Sequence, residues 1–404
     1  MAAQTRTLLA QFFSRGECRS LASRFVGPCR QLTTSCQAGF RQFVPVGDSK
    51  PTPESKTQRF RAVTYNILAN CYAYEPENLH CPREVLLWES RSPRILAELE
   101  SYDADIVCLQ EVEKNAFEEV FEPKFLSNGY EGLYCSKSPL VPQGFEEGVA
   151  LFYRTSMFDR IASQSDLFSS NFSKAGTGQF FKAVRTRGDS YIMALLDHKP
   201  SGVPLLTCNV HPYAHPKWPD VRMAQMHSLM GCISTFMERQ ALPKDPKIMI
   251  MGDFNSIWRK LETDRYDNIE GRYLVSGVHK LLTEGSVDEY HLHHPFKRNH
   301  TGRIASGKIK LRDEVFDSGG LFFESAYMMA NGSEPLVTHF TSEVKTCYDY
   351  IFMSRDDFSV VETLELPYDT AGIRDPKHVK MLRLPNAKFP SDHLALGATL
   401  EFGR

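Results

Sequence analysis

Eight apolar runs recur through the chain from residue 60 onward: FRAVTYNIL, ADIVCLQEV, GVALFYR, YIMALLDH, PLLTCNVH, KIMIMGDF, CYDYIFM and HLALGATLEF. Many are continuous rather than alternating. A strand that is apolar at nearly every position has both faces covered, so the chain is constrained to sheets buried on both sides. A second regularity overlies the first, because a carboxylate, amide or imidazole stands at an end of six of these runs. They are Asn66 in VTYNIL, Glu111 in IVCLQEV, His211 in LLTCNVH, Asp253 and Asn255 in IMIMGDFNS, Asp349 in YDYIF, and Asp392 with His393 in PSDH.

Taken singly, these residues are what strand ends ordinarily use. Asn66, Asn255 and Asp349 are the types that turn or cap a chain, and a lone histidine is most often a satisfied structural residue. Glu111 differs, because a carboxylate closing a buried strand is desolvated and needs a partner such as a cation. As a set, they supply what metal-assisted hydrolysis of a phosphate ester requires. A hard cation takes oxygen ligands, and Glu111 and Asp392 fit that need. Asn66, Asn255 and His211 are donors suited to charge developing on phosphoryl oxygens. Asp253 has the position of a base or orienter for water, and His393 with Asp349 forms an acid/base pair held in one tautomer.

Helical segments intervene. Ser92 before Pro93 predicts an N-cap and first position for RILAELESY, with Ile95, Leu96 and Leu99 on one face. Pro219 opens DVRMAQMHSLMGCISTFMER, with Val221, Leu229, Ile233 and Phe236 directed to the core. With 42% hydrophobic and 11% aromatic residues and no internal repeat, residues 59–404 are expected to form one α/β domain behind a Pro-containing linker, 48–58.

At these motifs the chain resembles the endonuclease/exonuclease/phosphatase superfamily. Within it, the resemblance is to the carbon-catabolite-repressor, nocturnin, Angel and 2′-phosphodiesterase group of magnesium-dependent exoribonucleases. The resemblance runs from about Arg59 to Phe402 and rests on YNIL, LQEV, EEGVALFYR, GDFNS, DYIF and PSDHLAL in the group's order. It implies a DNase I-like, four-layer sandwich of two packed mixed β-sheets flanked by helices, with the site at one end. It also implies Glu111 as principal Mg2+ ligand (Mn2+ being an alternative), Asn66 beside it, and Asp392 as a second metal-proximal carboxylate. His211 and Asn255 are then phosphate contacts, Asp253 the water activator, and Asp349 with His393 the supporting pair.

The implied activity is 3′-to-5′ trimming of RNA tails, as a poly(A) deadenylase does, with single-stranded 3′ ends as partner. Within the same fold the alternatives are a 2′,5′-oligoadenylate phosphodiesterase and an NADP(H) 2′-phosphatase. From another class comes a non-catalytic RNA-binding adaptor, whose signature would be loss of a metal or base residue; none is lost. The chain departs from the group where His211 is followed by Pro212, Tyr213, Ala214, His215 and Pro216 instead of an aromatic-rich run. It also has Val344 where poly(A)-specific members carry a phenylalanine that stacks on a base.

Residues 1–47 read differently. Six arginines, no lysine and one glutamate leave them at a formal +5, so the −2 of the whole chain leaves −7 for residues 48–404. An arginine-rich, acid-poor, Ser/Thr/Ala-containing leader suits a mitochondrial transit peptide, with a chloroplast or cytoplasmic location as the alternative, or else a disordered basic tail that binds RNA or a partner. No apolar stretch is long enough to span a bilayer, and no leucine-rich docking repeat precedes residue 59. The acidic body excludes a broadly basic nucleic-acid coat, so RNA contact is expected to be local, with Lys297, Arg298, Arg303 and Lys308 as candidate phosphate contacts. Ten cysteines without CxxC spacing suit free thiols in a reducing compartment. His291, His293, His294 and His300 are clustered but lack a cysteine or a second ordered ligand pair, and are expected to be polar histidines on an exposed loop rather than a metal site.

Overall fold

All eight apolar runs become interior strands of two sheets. The computed structural model describes residues 40–47, 57–78, 80–137, 146–172, 179–242, 245–260, 274–295, 316–342, 344–368 and 383–403. In chain order the strands are β1 (Phe43–Pro45), β2 (Arg59–Asn66), β3 (Ile106–Glu113), β4 (Tyr130–Ser136), β5 (Glu147–Arg154) and β6 (Phe158–Leu167). They continue with β7 (Ser190–His198), β8 (Val203–Val210), β9 (Lys247–Asp253), β10 (Ser286–Val287), β11 (Phe316–Asp317) and β12 (Phe323–Ser325). The last are β13 (His339–Phe340), β14 (Lys345–Thr346), β15 (Asp349–Ser354), β16 (Phe358–Leu364) and β17 (Leu396–Phe402). Among the described residues, one mixed sheet has the order β1-β16-β17-β2-β3-β5-β4 and the other β12-β15-β9-β8-β7-β6; β10 pairs with β11, and β13 with β14.

Strand alternation builds the layers. Along β2, Phe60 and Ala62 face the second sheet, while Val63 and Tyr65 face the helix side. Ile192, Ala194, Met249, Met251, Ile351 and Met353 meet them from the second sheet, so the central core is the joined inner faces. The outer face of the first sheet packs on the helix Trp88–Tyr102 through Ile95 and Leu99. That of the second packs on the helix Pro219–Gln240 through Val221, Leu229, Ile233 and Phe236. Helix, sheet, sheet and helix make four layers, as expected for a DNase I-like sandwich. None of the described helices is long and apolar enough to cross a membrane.

Two expectations are corrected. The helix expected to open at Pro93 begins at Trp88, and its N-cap is Leu87; Pro93 lies inside it. Pro93 forfeits one helical hydrogen bond, from a position facing solvent. The extra upstream turn carries Arg91, which is fully buried and donates through Nη1 to the carbonyls of Ile67 (2.9 Å) and Leu68 (2.8 Å). Second, the segment 1–47 is not leader throughout, because β1 pairs with β16 and Arg41 is buried. Arg41 donates to the Ala395 carbonyl (2.9 Å), to Glu98 Oε1 (3.2 Å) and to the Tyr102 hydroxyl (3.0 Å). Its charge belongs to the fold rather than to a basic leader. Residues 1–39 and most of the linker lie outside the described residues.

Candidate active site

The sandwich turns polar at one end. Inside the joined faces, Gln110 donates to Asn209 Oδ1 (2.8 Å), and Asn209 donates to the carbonyls of Leu109 (3.0 Å) and Ala150 (2.7 Å), which ties the two sheets together. Just beyond this clamp, a cleft of about 640 Å³ opens, lined by Glu111, His211, Asp253, Asn255, Asp392 and His393 among others.

Local backbone rules aim these side chains. Met249 and Met251 on β9 point inward, so Asp253 does too, and Ile351 fixes the same parity for Asp349 on β15. The antiparallel register sets Asp349 directly opposite Asp253. Gly252 makes that possible, since a Cβ there would lie 2.0 Å from the Val210 carbonyl oxygen of β8. Glu111 breaks alternation. Leu109 faces the helices, so strict period two would send Glu111 outward, but a bulge between Gln110 and Val112 with φ +56° at Glu111 turns it into the cleft. Leu68 and Asn255 are also left-handed, with φ of 57° and 48°. Three non-glycine residues in this conformation at one site is strain of the kind that collects where function needs it.

Asp253 is the hub. Its Oδ2 accepts from Asn66 Nδ2 (3.0 Å) and lies 3.5 Å from His211 Nε2 and 3.7 Å from His393 Nε2, while Oδ1 accepts from the Asn255 amide (2.8 Å). His393 Nδ1 contacts Asp349 Oδ2 at 2.9 Å, so the imidazole bridges two carboxylates. Asn66 Nδ2 also donates to Glu111 Oε1 (3.0 Å), and the Ala69 amide to Glu111 Oε2 (3.1 Å). Asn255 Nδ2 reaches the Pro212 carbonyl (3.1 Å).

Burial sharpens the electrostatics. It opposes the His393 charge, yet Asp349, Asp253 and Asp392 overcome it and push the imidazole up to about 10. Burial also opposes ionisation of Asp253, but His393, His211 and the Asn255 amide hold it well below the usual carboxylate range. Glu111 goes the other way: burial raises it, and Asp392 and Glu147 add like-charge repulsion against the pull of His211.

All eight expected residues therefore meet in one place. Lys297, Arg298, Arg303 and Lys308 lie outside the described residues. The histidine loop is not exposed as expected: His293 and His294 are buried, and His291 and His293 are used as hydrogen-bond partners of the Val275 carbonyl (3.0 Å) and the Gly277 amide (3.0 Å), while His300 lies outside the described residues. Sequence reasoning missed His339, which sits 3.6 Å from Asp392 Oδ2 and 4.4 Å, ring to ring, from His393. It also missed Lys137, paired with Glu147 at 2.6 Å in the cleft wall. Glu147 was readable in EEGVALFYR; nothing local marks His339 or Lys137.

Residues 63–393 match the Endonuclease/Exonuclease/phosphatase family. The chain belongs to that family. It is 29% identical over 375 residues to the CCR4-Not complex 3′-5′-exoribonuclease subunit Ccr4 of Yarrowia lipolytica, covering 85% of this chain and 48% of the relative. To the Schizosaccharomyces pombe subunit it is 27% identical, covering 88% and 51%. To carbon catabolite repressor protein 4 homolog 2 of Arabidopsis thaliana it is 28% identical, covering 83% and 56%. The chain thus spans about half the length of these curated relatives. Among solved structures, ANGEL2, a 2′,3′-cyclic phosphatase, superposes with TM-score 0.65 at 22% identity over 86% of this chain and 96% of that one. The human nocturnin catalytic domain superposes with TM-score 0.56 at 22% identity over 90% and 97%. Both likenesses establish the fold.

Endonuclease/exonuclease/phosphatase sites are metal-dependent, and this one fits a divalent cation. Among the described residues, His339, Asp392 and His393, and Asp253, Asp349 and His393, each bring ligand-type atoms within 4.8 Å of one another. Glu111 stands outside both. The second group is already joined through the Asp349–His393 contact. At Glu111, burial and the neighbouring Asp392 and Glu147 all raise the cost of carrying a negative charge. A cation there would offset that cost, and each Glu111 oxygen has one protein donor, leaving a lone pair free.

Proposed function

We propose that this chain is a magnesium-dependent 3′-to-5′ exoribonuclease that trims single-stranded RNA tails, releasing 5′-nucleotides. One observation carries the reading: the Asp349–His393–Asp253 line and Glu111 share buried Asn66 as a common neighbour, and Glu111, Asp253 and His393 line one cleft. A water-orienting unit and a cation-seeking unit are thereby fixed side by side. The relatives named as exoribonuclease subunits support the RNA substrate.

The chain's own residues would act as follows. Asp253 stays ionised across the working range and accepts a hydrogen bond from the attacking water, holding its lone pair toward phosphorus. His393, protonated near neutrality and fixed by Asp349, offers Nε2 to a phosphoryl oxygen. His211 and Asn255 clamp the remaining oxygens by hydrogen bonding. Glu111, with Asp392, would hold the magnesium ion, which when bound neutralises charge building on the phosphoryl group.

The test is hydrolysis of 3′,5′-oligo(A), 2′,5′-oligo(A), oligo(U) and NADPH compared side by side. Stepwise shortening of the 3′,5′-linked RNAs, ahead of the other two, is the expected result. Faster turnover of 2′,5′-oligo(A) or NADPH would assign the site to those substrates instead, and RNA bound but unchanged would make the chain an adaptor.

From composition, we also propose that the residues before Phe40 direct the chain to mitochondria. A fluorescent protein fused behind residues 1–39 should colocalise with a mitochondrial dye; a chloroplast or diffuse cytoplasmic signal would reject this.

A further inference from the structure

The loop after β8 lacks the group's aromatic run, yet it carries a ring into the cleft. Tyr213, two residues beyond His211, is half-buried and lines the cleft, with the Arg187 guanidinium 4.4 Å from its ring centroid. His215 adds a second ring 6.1 Å away, tilted by 31°. This loop is held rigidly. The Tyr213 amide donates to Gln225 Oε1 (2.9 Å), and Gln225 Nε2 donates to Asp189 Oδ2 (2.9 Å). Arg222 Nη1 donates to the carbonyls of Tyr213 (3.1 Å) and His215 (2.8 Å). Gln225 and Arg222 are fully buried on the helix Pro219–Gln240, so two interior side chains are committed to fixing a loop that faces an open cleft. Such support is how a binding surface is preorganised.

Arg187 is itself incompletely used, since its Nε is buried with no hydrogen-bond partner among the described residues. Val344 also lines this cleft, packed with Ile257 and Tyr348, and offers no ring of its own.

We propose that Arg187 and Tyr213 form a stacking wall for a nucleobase of the substrate, beside the phosphate held by His211 and Asn255. This rests on the nuclease reading of the site and adds the element that grips the base. Every base has a π-face, so such a wall is tolerant of sequence, with purines ahead of pyrimidines through their larger rings; Arg187 contributes a cation over the stack. The aromatic that is missing at position 344 is thereby replaced from a different loop.

Fluorescence anisotropy tests this with fluorescein-labelled oligo(A) and the same oligonucleotide lacking its last two 3′ bases, both in EDTA so that no turnover intervenes. The wild type should bind the intact RNA about ten- to a hundredfold more tightly. Tyr213→Ala should lose that difference, and Tyr213→Phe should keep it. A misfolded variant would weaken both RNAs together, so the ratio within one protein isolates stacking. Equal affinities in the wild type, or a preference surviving in Tyr213→Ala, would overturn the wall. RNA bound with base preference but never shortened in magnesium would overturn the nuclease reading and leave the wall standing.

Discussion

Glu111→Gln separates the role of the Glu111 charge from that of its shape. In the wild type the two carboxylate oxygens accept from two donors, Asn66 Nδ2 at 3.0 Å and the Ala69 amide at 3.1 Å. An amide has only one acceptor, so one donor loses its partner at about 1–3 kcal/mol. Against this stands relief of the cost of burying the charge and of its repulsion with Asp392 and Glu147, less the lost attraction to His211. The two effects oppose each other, so the metal-free variant should lie within about 2 kcal/mol of the wild type. Metal changes the comparison. At a hundredfold excess over Kd, a bound cation stabilises the wild type by about 2.7 kcal/mol, roughly 3–8 °C in Tm for a domain of this size. If removing the charge weakens binding about a hundredfold, the same concentration yields only about 0.4 kcal/mol, near 1 °C. Differential scanning fluorimetry across a magnesium titration, with EDTA as baseline, measures both. A variant stabilised by magnesium as strongly as the wild type would refute Glu111 as the ligand.

Other consequences follow from buried groups away from the cleft. Glu334, buried and hydrogen-bonded by Ser325 (2.8 Å), is pushed up to about 8 by burial, and His279, 3.8 Å away, is pulled down to about 3 by burial. Glu334 therefore favours the fold fully below its unfolded value of about 4.5 and loses that contribution as pH rises through about 8, whereas His279 favours it above about 6.5 and loses it toward about 3. The joint contribution of the pair to Tm should be highest between about 4.5 and 6.5, where the two slopes cancel, and Glu334→Gln should raise Tm most above pH 8; no gain there would contradict the buried-acid assignment. Arg41→Ala strands the buried Glu98 carboxylate and should cost about 3–5 kcal/mol in urea unfolding; a neutral effect would return residues 40–47 to the leader. Asn209→Ala removes three buried hydrogen bonds between the sheets and should cost about 3 kcal/mol, again read by urea unfolding, and an unchanged midpoint would mean the clamp contributes nothing.

Sequence alone displayed the strands covered on both faces, because burial there forces apolar residues at every position. The edge strands β4 and β6 were invisible, since each is partly solvated and carries residues such as Glu131, Arg160 and Gln164. Asp253 and Asp349 follow from strand parity once the register is known. Glu111 does not. Parity places it on the wrong face, and only the bulge at positive φ brings it inward, a backbone event that its neighbours' identities do not announce. His339 reaches the site through the bridge between its segment and His393, a long-range pairing with no local signature. Arg41 misled because composition counts a charge without saying whether it is paired.

The most direct measurement follows 5′-labelled oligo(A) over time with the wild type and Glu111→Gln, each in magnesium and in EDTA. Stepwise loss of nucleotides from the 3′ end by the wild type in magnesium alone is the predicted result. Shortening in EDTA, or shortening by Glu111→Gln at the wild-type rate, would contradict it.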